Sequence, residues 1–373
     1  MGAHELWARS GAMALTGRPT GPPRLGPGSP AAWVRDHLLA LGLGPGLEGL
    51  LGERAAYAGL SRRGPWSCGG AMRVLPGADG YVALSLARPE DVDLVPALVE
   101  GTTTGDPWVC VAAWLASVPV AEAEARLHLL GLPGGAVTDP VPALSAPDPV
   151  RLPDRPVTVL DLTALWAGPL AAHLLVALGA RVVKVESRSR PDGARRAAPG
   201  FFDVLDRGKE HAVLDLPSEV GRLRELAVAA DVVLESSRPR ALGQLGLLAE
   251  DVVAAGTPWV SITARGRASE TIGFGDDVAA SGGHVIRDGD DLLPVGDALA
   301  DPLAGVRAAW AAVAALSGRP RLVEVSMLDV ARTTAAGGVP PHEIYRDGER
   351  WWLETAAGRT AVRQPLRRPL RRP

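Results

Sequence analysis

The chain has 373 residues, 47% hydrophobic, 22% charged and 4% aromatic. It is long enough for two domains and too apolar for a disordered protein, despite 44 Gly and 33 Pro. The net charge of −3 argues against a protein built for nucleic acid or an anionic membrane, and two cysteines, Cys68 and Cys110, cannot form a disulfide framework or a four-cysteine zinc site. No apolar run approaches a membrane span, and Glu5 and Arg9 fall where a signal peptide would need an apolar core, so a cytoplasmic protein is expected. Only two of 39 basic residues are Lys, Lys184 and Lys209, a bias we ascribe to codon usage rather than chemistry.

The first stretch, residues 1–150, opens Gly/Pro-rich from Gly17 to Pro30, then has helical patterns over 31–41 and 47–60. Asp79-Gly80 is a turn signal before a strand at 80–86, Pro89 with its following acids starts a helix, and a helix over 121–130 stops at Gly131. Closely spaced prolines from Pro140 to Pro156 break the pattern and predict a domain boundary near 145–155.

The second stretch, 151–335, alternates strand and helix. Strands are predicted at 157–162, 182–186, 231–235, 259–263 and 322–326, and helices at 168–178, 223–230 and 304–316. That order reads as βαβ units on a mostly parallel sheet, an α/β fold. After 335 comes a Pro- and Arg-rich C-terminal extension, 336–373, and Gly358 to Pro373 reads as a frayed tail with six Arg and no acid. Ser10 to Gly17, with Gly21-Pro-Pro23 after it, matches the pattern of Ser281-Gly-Gly-His-Val285, as in a worn repeat. Acids Asp297 and Asp301 follow the second copy, whereas none occurs in Leu25 to Ala32 after the first.

Open parallel sheets bind ligands at the carboxyl ends of their strands, which points to the turn Thr163-Ala-Leu-Trp-Ala-Gly168-Pro169. One Gly followed by Pro is not a dinucleotide fingerprint, although Glu186 ends the second strand where a ribose-binding acid would sit. The seven His show no metal-ligand spacing and there is no Gly-x-Ser-x-Gly elbow, so neither a metal site nor a serine hydrolase is expected. The most informative acid is Asp301, just before the helix predicted at 304–316. Local sequence leaves two readings open: an N-cap, or a carboxylate nucleophile held charged by the helix amides.

Five segments in order resemble CoA-transferase family III, the family of formyl-CoA transferase and α-methylacyl-CoA racemase. They are Val159-Leu-Asp-Leu-Thr163 through Val183-Lys-Val-Glu186; Arg207-Gly-Lys209 with Leu214-Asp-Leu216; Asp231-Val-Val-Leu-Glu235 with Arg238-Pro239 and Leu245-Gly-Leu247; Pro294-Val-Gly296 with Leu299-Ala-Asp301 and Gly305; and Val323 to Asp329. Asp79 to Leu84 and Ala125 to Gly134 resemble the family's small domain, which normally follows the large one. The chain thus looks like the tail of one copy fused to the head of another, with Asp301 in the intact copy.

The resemblance implies a Rossmann-like large domain, a smaller α+β domain at 1–150 and an interlocked homodimer. It implies an acyl-CoA:carboxylate CoA-transferase with Asp301 as nucleophile, attacking the thioester to form a mixed anhydride that an acceptor acid then resolves. Coenzyme A enters as a thioester substrate, no cofactor is permanently bound, and the second partner is a carboxylic acid. The family's CoA contacts carry over to Ala164, Trp166, Ala167, Arg188, Leu214, Ser236, Ser237 and Arg238, and Gly282-Gly283 is the candidate oxyanion loop. From local sequence, Trp166 could stack on adenine or cap the core. The family's Asn-Phe stands here as Ser236-Ser237, and a later Arg as Gln244. The racemase branch has Gly-His-Asp where this chain has Gly275-Asp276-Asp277, and His284 is out of register and reads as a loop residue. Transfer is therefore favoured over racemisation or isomerisation; a non-catalytic CoA-binding homologue is the remaining alternative.

Overall fold

In the computed structural model, residues 2–44, 49–143, 145–216 and 218–367 are described. Six parallel strands form the main sheet: β1 (Thr158–Leu162), β2 (Arg181–Ser187), β3 (Glu210–Leu214), β4 (Val232–Glu235), β5 (Trp259–Thr263) and β6 (Leu322–Ser326). Their spatial order is β6-β5-β4-β1-β2-β3, the doubly wound order of a Rossmann-like domain. Chain direction across the sheet reverses between β1 and β4, so this pair is the topological switch point.

The central strands β4 and β5 are largely apolar runs buried on both faces, as a parallel sheet requires, while the edge strands β3 and β6 are partly exposed. Val159, Val182, Val232, Leu234, Val260 and Ile262 pack on helices α1 (Ala167–Ala177) and α3 (Ala300–Ala315). Their neighbours Leu160, Val185, Val233 and Trp259 face the opposite layer, the helices at 220–229 and 249–254. The expected elements of this region are found with ends shifted by a few residues. Strand β3 was missing from the expectations because Glu210 and His211 break its apolar run.

The division expected near 150 separates chain segments rather than cores. Leu6, Trp7, Val34, Leu38, Leu50 and Leu51 join the core of the parallel sheet. The helix expected at 47–60 is Leu50–Ala58, with residues 47 and 48 outside the described residues. A separate core lies in the antiparallel sheet of strands 72–76, 81–85 and 134–136 with its covering helices up to Leu130, the expected α+β unit. The two halves of the proposed repeat face each other. Arg18 pairs with Asp288 (2.6 Å) and Asp291 (2.7 Å), and Arg24 with Asp288 (2.8 Å), while the Gly296 N–H donates to Thr16 Oγ1 at 3.0 Å.

The frayed tail is a correction. Strands 342–347, 350–355 and 358–361 form an antiparallel sheet. Leu353 and Val362 enter the main core and the Arg363 N–H donates to Ala8 O at 2.8 Å. Arg content hid an Asp347-Gly348 turn between two alternating segments. Residues 368–373 of the expected tail lie outside the described residues.

Both lysines are buried beneath the β1–α1 turn, so composition alone does not account for them. Lys209 Nζ donates to Asp161 Oδ2 (2.9 Å) and Pro169 O (3.1 Å). Lys184 Nζ donates to Thr163 O (2.8 Å) and pairs with Asp192 Oδ2 (3.1 Å). A compact ammonium on a linear stem fits these sites, where a planar guanidinium would need a wider space. Gly168 completes the turn, since a Cβ there would lie 2.2 Å from Thr163 Cβ. Lys209→Met leaves the fully buried Asp161 carboxylate short of its partner and should cost about 3–5 kcal/mol of stability by urea denaturation, while Lys209→Met with Asp161→Leu should recover most of it.

Candidate active site

A cavity of about 190 Å³ opens at the carboxyl ends of the strands on either side of the switch point. Ala164, Leu165 and Ala167 line it from the turn after β1; Ser236, Ser237 and Arg238 follow β4; Thr263 and Ala264 end β5. The segment 269–274 and Met327 close the far wall, and Asp301 projects from the first turn of α3.

Asp301 does not cap its helix. Helix α3 begins at Ala300, its N-cap is Leu299, and no side chain caps it. The helix starts four residues earlier than expected because Pro302 sits in the first turn, where no amide donor is required. The Asp301 carboxylate instead accepts from the backbone N–H of Ala167, the first residue of α1. Burial pushes its pKa up to about 7, against the pull of Arg54 and with the push of Asp276 and Asp297.

Two backbone positions around Asp301 are left-handed without being glycine, Leu165 (φ 70°) and Ala298 (φ 42°). Such conformations persist only where surrounding bonds fix them. The Leu165 N–H donates to Asp192 Oδ1 (3.0 Å), the same Asp192 that pairs with Lys184. The Ala298 N–H donates to Asp276 Oδ1 at 2.7 Å. Gly275 permits the closest approach: a Cβ there would lie 2.2 Å from Asp301 Oδ2 and 2.4 Å from Ala298 O.

The expected site residues divide. Asp301, Ala164, Ala167, Ser236, Ser237 and Arg238 come together around the cavity. Trp166 is 4% exposed and packs edge-on to Phe201 at 5.2 Å, so it caps the core rather than presenting a face for adenine. Arg188 is exposed and its N–H donates to the carbonyl of the buried Leu214; both lie at the ends of β2 and β3, outside the cavity wall. Gly282 and Gly283 are a correction. They end helix α2 (Gly275–Ser281), pack on Ala331 and Pro140, and do not line the cavity. His284 lies in the loop after α2, as expected, but is fully buried there, bonded through Nε2 to Thr334 Oγ1 at 2.8 Å and with its pKa lowered by burial to about 3. Among the described residues no group of His, Cys, Asp or Glu is placed to hold a metal ion, and no helix is long and apolar enough to cross a membrane.

Sequence reasoning missed Arg54. It sits on helix Leu50–Ala58 and forks onto the buried Asp297, with Nε 3.0 Å from Oδ2 and a second bond to Oδ1. The signal was the charged pair Glu53-Arg54 inside an apolar helical pattern, with Glu53 fully buried.

Asp277 is buried, accepts from Ser85 Oγ (2.7 Å) and the Phe274 N–H (2.9 Å), and burial raises its pKa to about 7. The folded chain thus keeps a proton there that the unfolded chain loses above about pH 4, so this group destabilises the fold as pH rises from 4 through 7. His37 and His284, with lowered pKa values, act oppositely below pH 6.5. Asp277→Asn isolates the acid's part: its melting temperature relative to wild type should rise as pH increases from 5 to 8. A second variant, Gly275→Ala, should cost about 1–3 kcal/mol by overpacking against Ala298 O, measured by denaturant unfolding.

Residues 155–350, more than half of the chain, match the family model described as CoA-transferase family III. Succinyl-CoA–D-citramalate CoA-transferase of Chloroflexus aurantiacus is 32% identical over 48% of this chain and 49% of its own length. Succinyl-CoA:glutarate CoA-transferase of Mus musculus is 33% identical over 44% and 42%. The crystal structure of a hypothetical protein, Rv3272 of Mycobacterium tuberculosis, superposes with a TM-score of 0.50 at 30% identity, covering 55% of this chain and 66% of that one. The chain spans about half the length of the curated relatives it matches. With its six-stranded parallel sheet and a cavity at the switch point, the chain belongs to CoA-transferase family III.

Proposed function

We propose that the chain transfers CoA from an acyl-CoA to a carboxylic acid, with Asp301 as the nucleophile. The observation that carries this reading is the placement of the Asp301 carboxylate on the cavity wall, free of any capping role. Asp301 attacks the thioester carbonyl, the C–S bond breaks, and CoA leaves as thiolate, giving an aspartyl-acyl anhydride. The thiolate then attacks the aspartyl carbonyl, releasing the donor acid and leaving CoA on Asp301. An acceptor carboxylate attacks that aspartyl thioester, forming a new anhydride and freeing the thiolate. Attack of the thiolate on the new acyl carbonyl yields the product thioester and restores Asp301.

Only the ionised carboxylate attacks, so activity should rise with pH through the titration of Asp301 near 7. The cavity is smaller than the roughly 300–1,000 Å³ of sites that enclose a whole drug-sized ligand. We therefore place the acyl-thioester end inside it, with the nucleotide running over the ends of β2 and β3 past Arg188 and Leu214. The hydroxyls of Ser236, Ser237, Ser269 and Thr271 and the Arg238 guanidinium are the polar groups available to the thioester and acceptor. Homodimer assembly and a cytoplasmic setting belong to the same proposal.

Racemisation needs two opposed proton-transfer groups. Among the described residues lining the cavity the titratable groups are Asp301 and Arg238. Asp276 and Asp277 lie outside that wall, bonded to the Ala298 N–H and to Ser85.

The relatives' names make succinyl-CoA with short dicarboxylic acids the first panel to test. Incubation with acyl-CoA and hydroxylamine should convert Asp301 to its hydroxamate, found by peptide mass spectrometry. Asp301→Asn should lower exchange about a thousandfold or more. Exchange that survives in Asp301→Asn would reject the mechanism.

A further inference from the structure

The mechanism leaves unexplained a buried cluster behind Asp301. Asp297 is fully buried and Asp276 lies beside it; Arg54 is the guanidinium set among these acids. Arg54 also lies over Trp166, 5.4 Å from the ring centroid. Trp166 directly precedes Ala167, whose N–H holds Asp301. The Ser67 hydroxyl bonds Asp276. Arg54 and Ser67 both come from the N-terminal stretch, outside the segment 155–350 that matches the family.

We infer that Arg54 is a positioning residue for the proposed transfer: held on Asp297 from the N-terminal helix, it supplies the positive charge that lets Asp301 ionise. This rests on the reading of Asp301 as nucleophile. Three carboxylates crowded in a medium of low dielectric cannot all carry charge against a single cation. The groups facing Asp301 are Arg54 from helix Leu50–Ala58, Asp276 from α2, Asp297 from the segment before α3, and the Ala167 N–H from α1, with Arg238 on the cavity wall. The Cys68 thiol donates to Leu15 O and Gly296 O, and burial, with Asp297 and Asp276 nearby, raises its pKa. Of these groups, Arg54 is the cation in contact with the acid cluster. Without it, burial and two neighbouring acids would keep the nucleophile protonated at neutral pH. Asp297 in turn fixes the guanidinium and opposes the ionisation of Asp301.

Two variants separate this from a packing role because they shift the charge balance in opposite directions. Arg54→Met removes the cation, and Asp297→Asn removes a like charge while keeping shape. The protonation of Asp301 is read by carbodiimide–amine labelling of the full chain from pH 5 to 9, quantified by peptide mass spectrometry against the exposed Asp290. Acyl exchange is followed over the same range. In Arg54→Met the labelling midpoint and the acid limb of exchange should both move to higher pH. Exchange at pH 7 should fall by about fivefold or more and recover as pH rises. Asp297→Asn should move both to lower pH, and Arg54→Lys should restore much of the wild-type profile. Midpoints that stay put, or that move the same way in both variants, overturn the inference. If Arg54→Met does not fold, Arg54→Gln, which keeps a polar donor for Asp297 but no charge, takes its place in both readouts with the same expected shift. Labelling does not depend on turnover, so a wild-type chain without exchange would reject the transferase reading and still leave this one tested.

Discussion

Two buried ammonium groups hold up the turn on which the site is built. Lys209 binds Asp161 at the heart of β1 and the carbonyl of Pro169 in α1, fixing strand to helix. Lys184 reaches from β2 to the Thr163 carbonyl and Asp192. Asp192 then bonds the amide of the left-handed Leu165 at the cavity lip. The chain of contacts runs from sheet to turn to cavity without a break. The amide of Ala167, one residue past Trp166 at the end of this turn, donates to Asp301. Desolvating each charge is expensive, and the multiple bonds at each nitrogen offset that cost.

Most of the Rossmann-like half was legible in the sequence. Several of its strands contain apolar runs such as Val232 to Leu234, and its first helix stops just before Gly179. What escaped notice was long-range or masked by composition. The terminal sheet was hidden by Arg, although its Asp347-Gly348 turn was in plain sight. Strand β3 was hidden by an exposed, polar edge. Part of the cavity wall could be named because Ala164 and Ala167 follow β1, and Ser236, Ser237 and Arg238 follow β4, in short order; Asp301 was named from its place before a helix and from the family resemblance. Gly282-Gly283 was misplaced because a glycine pair marks a turn without saying which way the turn faces. Arg54 could not be placed at all: it lies 243 residues from Asp297 and no local pattern records that contact.

The family match begins at residue 155, yet the acids around Asp301 are partnered by Arg54 on Asp297 and Ser67 on Asp276, well before it. The first half of the apparent repeat lacks an acid of its own after Gly17. It contributes instead Arg18 and Arg24, which clamp the hairpin 285–294 through Asp288 and Asp291. The N-terminal stretch thus braces the hairpin that precedes the Asp301 helix.

The shared core has a consequence for inheritance of this architecture. Leu6, Leu38 and Leu51 from one side of the matched segment and Val362 from the other interleave with the sheet's own residues. A stretch of sequence that evolution could recognise as a unit is therefore not a unit that water would tolerate alone. Cutting this chain at the borders of that segment would expose an oily face, so the flanks are part of what keeps it folded.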